Sequence, residues 1–182
     1  MKKIHKKILT IIAIAYLIVI LLFLIFPEGS ADEHYGRGIN FSKYGQYDQA
    51  ISELTKTIAI EPRFLKAYWI RGEAYGYKGE NEKAISDFNK AIEMRPKFFP
   101  AYSSRADIHN KNGEYDKAIS DYTKAIEIAP KFSKTYKHRA TVYYKKGDYV
   151  KAWDDVHKAE SLGAKIEEDF LKELRKVSGR EK

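Results

Sequence analysis

The chain has 182 residues, a formal net charge of +8 and no cysteine. The absence of cysteine excludes disulfides, a thiol nucleophile and a cysteine-linked lipid anchor. There is also no glycine-rich phosphate loop and no His-x-x-x-His pair, so the sequence predicts no catalytic residues, no metal site and no cofactor. We therefore expect a protein that is not an enzyme.

The first 26 residues differ from the rest of the chain. Residues 1–7, MKKIHKK, form a basic terminus, and residues 8–26 contain only two side chains with a polar group, Thr10 and Tyr16. A helix of this length spans about 28 Å, close to the roughly 30 Å of a bilayer core. We predict a transmembrane helix that acts as a signal anchor. A cleaved signal peptide is the alternative, because residues 29–31 are small, as at a cleavage site.

The basic terminus also predicts the orientation of the protein. Lysines flanking a membrane span stay on the cytoplasmic side. The remainder of the chain, joined through a short linker at 27–31, is then expected on the extracytoplasmic side, which in a bacterium is the periplasmic face of the inner membrane. Residues 1–28 carry +3 of the charge and the rest carries +5 in mixed clusters, which indicates a solvated helical surface. Export across the membrane disfavours a nucleic-acid partner.

A sixteen-residue phrase recurs three times at an interval of 34 residues. It reads YDQAISELTKTIAIEP at 47–62, NEKAISDFNKAIEMRP at 81–96 and YDKAISDYTKAIEIAP at 115–130. A fixed period of this size indicates stacked units that share one continuous core. We define four units, at 31–64, 65–98, 99–132 and 133–166.

Each unit is predicted to be a helix–turn–helix. In the second unit, apolar residues recur at helical spacing before and after Gly79, which suits a tight turn between two helices. Pro96 then closes the unit, because proline cannot continue a helix. The fold class is therefore all-α.

The last segment is predicted to be a capping helix at 165–177, followed by a tail at 178–182. Ile166, Phe170, Leu174 and Val177 form one apolar stripe along it. Such a helix covers the open face of the last unit. A free helix that binds a partner is the alternative.

The repeats resemble the tetratricopeptide repeat (TPR) family. The second unit matches the family signature at Tyr68, Gly72, Tyr75, Ala84, Phe88, Ala91 and Pro96, and the third at Tyr102, Ala106, Ala118, Tyr122, Ala125 and Pro130. Thr57 in the first unit and Ala164 in the fourth depart from it. The resemblance implies a right-handed α-α superhelix whose first helices line a groove that binds proteins or peptides.

A polar pattern repeats within the units. Four arginines in the first helices and four acids in the second helices each recur at 34, namely Arg37, Arg71, Arg105 and Arg139 with Glu53, Asp87, Asp121 and Asp155. The guanidinium group pairs in bidentate fashion with a carboxylate. We predict a structural ladder of ion pairs, with ligand binding by these residues as the alternative.

The groove is expected on the first helices. The predicted partner-binding residues are Tyr35, Ile39, Lys66, Trp69, Glu73, Tyr77, Asp107, Asn110, Lys134, Lys137 and Tyr144. Aromatic residues gather at one end and lysines at the other, which predicts apolar partner side chains near Trp69 and acidic ones near Lys134 and Lys137. Packing of Tyr35 and Trp69 between neighbouring helices is the alternative. The residues with which some family members grip a C-terminal carboxylate are absent.

Two classes of function follow for a membrane-anchored repeat array. The first is an adaptor or scaffold that captures a segment of a partner protein, and the second is a self-associating or complex-assembly subunit of the cell envelope. The four histidines beyond the anchor, His34, His109, His138 and His157, fall at unrelated repeat positions, so we expect surface or edge histidines.

Overall fold

The structure is a computed structural model, which describes residues 12, 14–18 and 29–179. Residues 12 and 14–18 are helical. In the rest of the described chain the elements are α1 (Ala31–Lys43), α2 (Tyr47–Ile60), α3 (Leu65–Lys78), α4 (Asn81–Met94), α5 (Phe99–Lys111), α6 (Tyr115–Ile128), α7 (Ser133–Lys146), α8 (Tyr149–Ser161) and α9 (Glu168–Ser178).

The basic terminus predicted at 1–7, most of the span predicted at 8–26 and residues 27–28 of the linker lie outside the described residues. Among the helices that are described, none is both long enough and apolar enough to cross a bilayer. The membrane anchor therefore stays a prediction.

The first eight of these helices form four hairpins at the predicted intervals. Helix α1 packs on α2, α3 on α4, α5 on α6 and α7 on α8, and each second helix also contacts the first helix of the next unit. Gly79 ends α3 with a φ of +80°, a conformation that costs a residue with a side chain about 1 kcal/mol or more. The all-α repeat fold is confirmed.

Small residues allow the helices of a hairpin to approach closely. Ala84 and Ala91 are fully buried between α3 and α5, in one cluster with Phe88. A Cβ atom placed on Gly72 would lie 2.7 Å from the ring of Phe88. Glycine is therefore required at this helix crossing although it lowers helix propensity.

The C-terminal helix covers the fourth unit. Leu171 and Leu174 are buried against Trp153 and Val156 of α8, and Trp153 donates from Nε1 to Ser178 Oγ at 3.0 Å. Helix α9 begins at Glu168, three residues later than the 165 that the sequence predicted. Ile166 belongs to the same buried cluster, but it lies in the loop before the helix.

Candidate partner-binding groove

Two rows of polar contacts run along the repeats, and the first is the arginine ladder. Arg71 donates from Nε and an NH2 nitrogen to the two carboxylate oxygens of Asp87, both at 2.8 Å. Arg105 pairs in the same way with Asp121 at 2.7 and 2.6 Å, and Arg139 pairs with Asp155 at 2.7 and 2.8 Å. These contacts have the geometry that the ladder requires, and their structural role stays a prediction.

The ladder also joins each unit to the preceding one. Arg71 donates to Thr55 Oγ1 at 3.0 Å, and Arg139 donates to Thr123 Oγ1 at 2.8 Å. Arg105 contacts Asn89 at the equivalent position. Each of these arginines therefore bridges three helices. The sequence analysis missed this set, although Thr55, Asn89 and Thr123 also recur at 34.

Burial and pairing act in opposite directions on the groups of the ladder. The hydrogen bonds that Arg105 donates to Asp121 raise the pKa of Arg105 above its usual value. Burial raises the pKa of Asp155, although the hydrogen bond from Arg139 opposes the rise. These carboxylates depend on their arginines, because an unpaired buried charge is strongly destabilising.

The first unit has a different arrangement. Glu53 accepts from Lys56 Nζ at 2.6 Å, and its other oxygen lies 2.8 Å from His34 Nδ1 and 3.0 Å from Arg37 Nε. Burial raises the pKa of Glu53, but the hydrogen bonds from Lys56 and His34 together lower it by more, so the net shift is downward. His34 is only 2% exposed and His109 is also buried, so the expectation of surface or edge histidines was wrong for these two.

The second row of polar contacts lies on the first helices of the units and borders two cavities. We call these two cavities together the groove. The cavities measure about 340 and 260 Å³ and share Glu73, Ser104, Asp107, Lys134 and His138. Residues of α3, α5 and α7 line both. Ligand pockets for small molecules typically measure roughly 300–1,000 Å³, so volumes at this lower end suit individual peptide side chains.

Glu73 lies at the centre of the groove. It accepts a hydrogen bond from Ser104 Oγ at 3.1 Å, and Ser104 in turn accepts one from Trp69 Nε1 at 3.0 Å. Burial raises the pKa of Glu73, and the nearby charge of Asp107 raises it further. Ser104 and Lys134 oppose this shift, but the net change is upward.

Asp107 is the second acid of the groove. The hydroxyl group of Tyr122 donates to Asp107 Oδ1, and His138 Nδ1 lies 3.1 Å from the same oxygen. Burial and the charge of Asp107 raise the pKa of Tyr122, which therefore stays protonated and a hydrogen-bond donor. No guanidinium or ammonium group in the described chain is paired with Asp107 as the arginines are with the ladder acids.

The structure brings some of the predicted groove residues together and places others apart. Trp69, Glu73, Tyr77, Asp107, Asn110 and Lys134 border one or both of the two cavities. Ile39 lies with Glu73 and Tyr77 at a further cavity. The partner-binding role of all these residues stays a prediction.

The other four predicted residues border none of these three cavities. Tyr35 packs on Phe64, with ring centroids 4.6 Å apart, and Lys66 is exposed. Lys137 pairs with Glu167 at 2.5 Å, and Tyr144 packs edge-on against Phe170 of α9. The C-terminal segment thus occupies two side chains that the sequence assigned to the groove.

The sequence analysis did not include several residues that border the groove. Ser104 and His138 connect the acids to neighbouring helices, and Phe99 and Phe132 form an apolar wall with ring centroids 5.0 Å apart. Phe132 does carry a signal, because it recurs at 34 with Phe64 and Phe98. Ser104 and His138 are also 34 residues apart, but their residue types differ, so the repeat pattern does not single them out.

Comparison with protein families gives two matches. Residues 65–98 and 99–132 each match a tetratricopeptide repeat model. These are the second and third units with the bounds that the sequence predicted. A search of curated proteins gives no match.

Solved structures show the same fold. A crystal structure of MamA is 27% identical, with a TM-score of 0.70, and the match covers 78% of this chain and 82% of that one. MamA 41-end from Desulfovibrio magneticus RS-1 is 19% identical, with a TM-score of 0.68 and coverage of 74% and 76%. The first TPR of Spaghetti (RPAP3), bound to the HSP90 peptide SRMEEVD, is 24% identical, with a TM-score of 0.62 and coverage of 65% and 94%. At 19% and 24% identity the last two show the fold alone.

The family models, the 34-residue hairpins and these structures agree with one another. Residues 65–132 are tetratricopeptide repeats, and residues 31–178 fold as an all-α TPR solenoid.

Proposed function

We propose that this protein is a membrane-anchored scaffold that binds a segment of a partner protein in the groove. The observation that carries the proposal is the groove itself, where Glu73 of α3, Asp107 of α5 and Lys134 of α7 border open volume. Aromatic side chains such as Trp69 are enriched at the centres of protein-binding surfaces. A scaffold, rather than an enzyme, is the function that these residues support best.

The family adds support to this proposal. Tetratricopeptide repeats suggest protein–protein interaction, and the RPAP3 domain with the same fold holds a peptide. Recognition of an acidic peptide like SRMEEVD is not carried over, because the acids Glu73 and Asp107 lie at the centre of the groove here.

Site-specific photocrosslinking tests the proposal. A photoreactive phenylalanine analogue replaces Tyr77, which borders the groove and is 66% exposed, in the full chain expressed in its native cells. We expect a covalent adduct with a partner protein. The control places the same group at Val150, which is 53% exposed at the start of α8 and outside the groove. Identical adducts at both positions, or none at Tyr77, would contradict the proposal.

We further propose that residues 8–26 remain as an uncleaved anchor with the repeats on the extracytoplasmic side. The sequence supports this by its apolar length and by the lysines that precede it. Ser30 also caps α1, accepting from the Glu33 N–H at 3.2 Å while Glu33 accepts from the Ser30 N–H at 3.1 Å. Cleavage after Ala31 would remove this capping box, which stabilises helices by about 1 kcal/mol.

Fractionation and N-terminal sequencing test the anchor. We expect the chain in the membrane fraction after an alkaline carbonate wash, with its first residues intact, and digestion of the repeats by a protease added outside the cytoplasmic membrane. A chain that starts near residue 31 would show cleavage, and protected repeats would show the opposite orientation.

Self-association is the alternative function. Ile39 and Tyr44 of the first unit are 39% and 70% exposed, and no described repeat precedes them. Light scattering on the purified full chain in detergent separates the two functions, because a scaffold that binds other proteins is expected to be monomeric. A stable dimer or larger species would favour the alternative.

A further inference from the structure

We propose that the groove accepts a basic side chain, a lysine or an arginine of the partner segment, between Glu73 and Asp107. This inference rests on the proposed function and specifies the chemistry of the partner. The aliphatic part of the basic side chain would pack on Trp69 and Phe99, and its charged end would meet the two carboxylates.

The two carboxylates lack the neutralising partners that other acids of the protein have. Glu73 accepts from a serine hydroxyl, and Asp107 accepts from a tyrosine hydroxyl and lies beside His138. Each ladder acid in the second to fourth units, by contrast, receives two hydrogen bonds from one guanidinium group. A cation from outside can therefore supply what the groove lacks.

The electrostatics of Glu73 agree with this geometry. Its pKa is raised by burial and by the charge of Asp107, so its surroundings disfavour a negative charge. A cation placed between two acids favours their ionised forms and removes the repulsion between them. The groove is then electrostatically complementary to a basic group rather than to an acidic one.

The two lysines that border the groove do not fill this place. Lys111 donates to the Gly76 carbonyl at 3.4 Å, and its ammonium group lies 5.8 Å from the centre of the Tyr77 ring. Neither of these contacts is with a carboxylate. Lys134 is exposed, and it lowers the pKa of Glu73 by less than Asp107 raises it. Its flexible side chain can move towards water when a ligand enters.

The shape and polarity of the smaller cavity suit an amphipathic side chain. Trp69, Phe99, Pro100 and Phe132 provide an apolar wall, and the acids stand on the polar side of the same 260 Å³ volume. Lysine and arginine pack their aliphatic stems on apolar surface while their charged ends make polar contacts. An aromatic wall also attracts a cation through its ring faces.

This inference changes one expectation from the sequence. Acidic partner side chains were expected near Lys134 and Lys137, but Lys137 pairs with Glu167, and Lys134 lies beside Glu73. An acidic side chain entering here would face two carboxylates. A basic side chain has the charge that complements these two carboxylates.

Selection from a random peptide library displayed on phage tests the inference. The bait is the purified full chain, and the readout is the residue composition of the enriched peptides. We expect enrichment of peptides that place lysine or arginine next to an apolar residue. Glu73→Gln is expected to weaken a selected peptide at least tenfold, because the glutamine keeps the hydrogen bond from Ser104 but removes the charge.

A matched variant controls for the loss of one negative charge. Glu82→Gln changes an exposed glutamate on α4 that borders neither cavity, and we expect unchanged affinity. Circular dichroism of both variants checks that the fold is retained.

The outcomes separate this inference from the proposed function. Enriched peptides without a basic residue, or a Glu73→Gln variant that binds as tightly as the wild type, would overturn the basic-residue assignment and leave the scaffold intact. Failure to enrich any peptide would count against the scaffold itself. A synthetic peptide of residues 1–7 that binds as tightly as the selected peptides would assign the groove to the chain's own terminus instead of a partner.

Discussion

The ladder contains buried carboxylates and the groove contains partly buried ones, and the two sets have different hydrogen-bond partners. In the ladder, Asp121 belongs to the second helix of its unit, and both of its carboxylate oxygens accept hydrogen bonds from Arg105. In the groove, Glu73 and Asp107 hold only hydroxyl and imidazole partners. The two rows occupy the same repeats, so the difference lies in the partner residues rather than in the fold.

This difference separates residues that support the fold from residues left for a ligand. A fully paired acid contributes to the packing of neighbouring helices, and its loss leaves an unpaired cation. A carboxylate that is withdrawn from solvent without a cationic partner lowers the stability of the fold. Proteins keep such destabilising groups mainly at functional sites. Substitutions in the two rows should therefore have opposite effects on stability and on binding.

The largest effect is expected for Asp121→Ala. It removes both acceptors from Arg105, which is only 21% exposed in its side chain, and should lower the free energy of unfolding by about 3 kcal/mol. The affinity for a selected peptide should not change. Urea denaturation measures the first and calorimetry the second, with Asp154→Ala, an exposed aspartate of α8, as the control. Unchanged stability with lost binding would make the ladder a ligand site.

A smaller loss is expected for Trp69→Ala. The sequence predicted a partner-binding role for Trp69, with packing between neighbouring helices as the alternative. Trp69 packs edge-on against Phe98 at 5.6 Å and donates to Ser104, so the indole also holds the fold. We expect a loss of about 2 kcal/mol in unfolding free energy together with weaker binding. A thermal melt equal to that of the wild type would restore the purely functional role.

The bond between neighbouring units is tested by Thr123→Val. The substitution keeps the shape of the side chain and removes the hydroxyl that accepts from Arg139 at 2.8 Å. We expect a loss of about 1 kcal/mol, the typical net contribution of one hydrogen bond. Chemical denaturation gives the value. An effect equal to that of Asp121→Ala would mean that the contact between units, rather than the pair within a unit, dominates the ladder.

The smallest effect is expected for Glu73→Gln, and its sign is opposite. Because burial raises the pKa of Glu73, its ionised form is destabilising at pH 7. As the pH falls through this raised pKa, Glu73 takes up a proton in the folded chain and the folded state gains stability. The destabilisation caused by the ionised carboxylate is therefore present only at higher pH. We expect the variant to be more stable at pH 7 by up to about 1 kcal/mol, with the gain disappearing in acid. A loss of stability at pH 7 would place Glu73 with the ladder.

Much of the fold could be predicted because the repeat period is visible in the sequence. Gly79, Ala84 and Pro96 each recur at 34, and the hairpins follow these positions. The start of α9 was misplaced because Ile166 fits the apolar stripe although it packs from a loop. Periodicity alone does not distinguish a buried loop residue from a helical one.

Less of the groove could be predicted, for a physical reason. A binding surface depends on contacts between units, such as those of Ser104 with both Trp69 and Glu73, and these residues are 35 and 31 positions away from it. The burial of His34 likewise depends on Glu53 of the neighbouring helix. Ser104 and His138 occupy equivalent positions 34 residues apart, as Glu73 and Asp107 do, but the residue types differ, so a search for identical residues at the repeat period does not find these contacts.

The most direct measurement is a carbon-13 NMR titration of two glutamate carboxyl groups in the full chain. We predict a pKa for Glu53 below that of an ordinary glutamate, because hydrogen bonds from Lys56 and His34 outweigh the effect of burial, and a pKa for Glu73 above it, because burial dominates there. Addition of a selected basic peptide should lower the pKa of Glu73 and leave that of Glu53 unchanged. A pKa of Glu73 at or below the ordinary value in the free protein would contradict the claim that the groove binds a basic side chain of a partner.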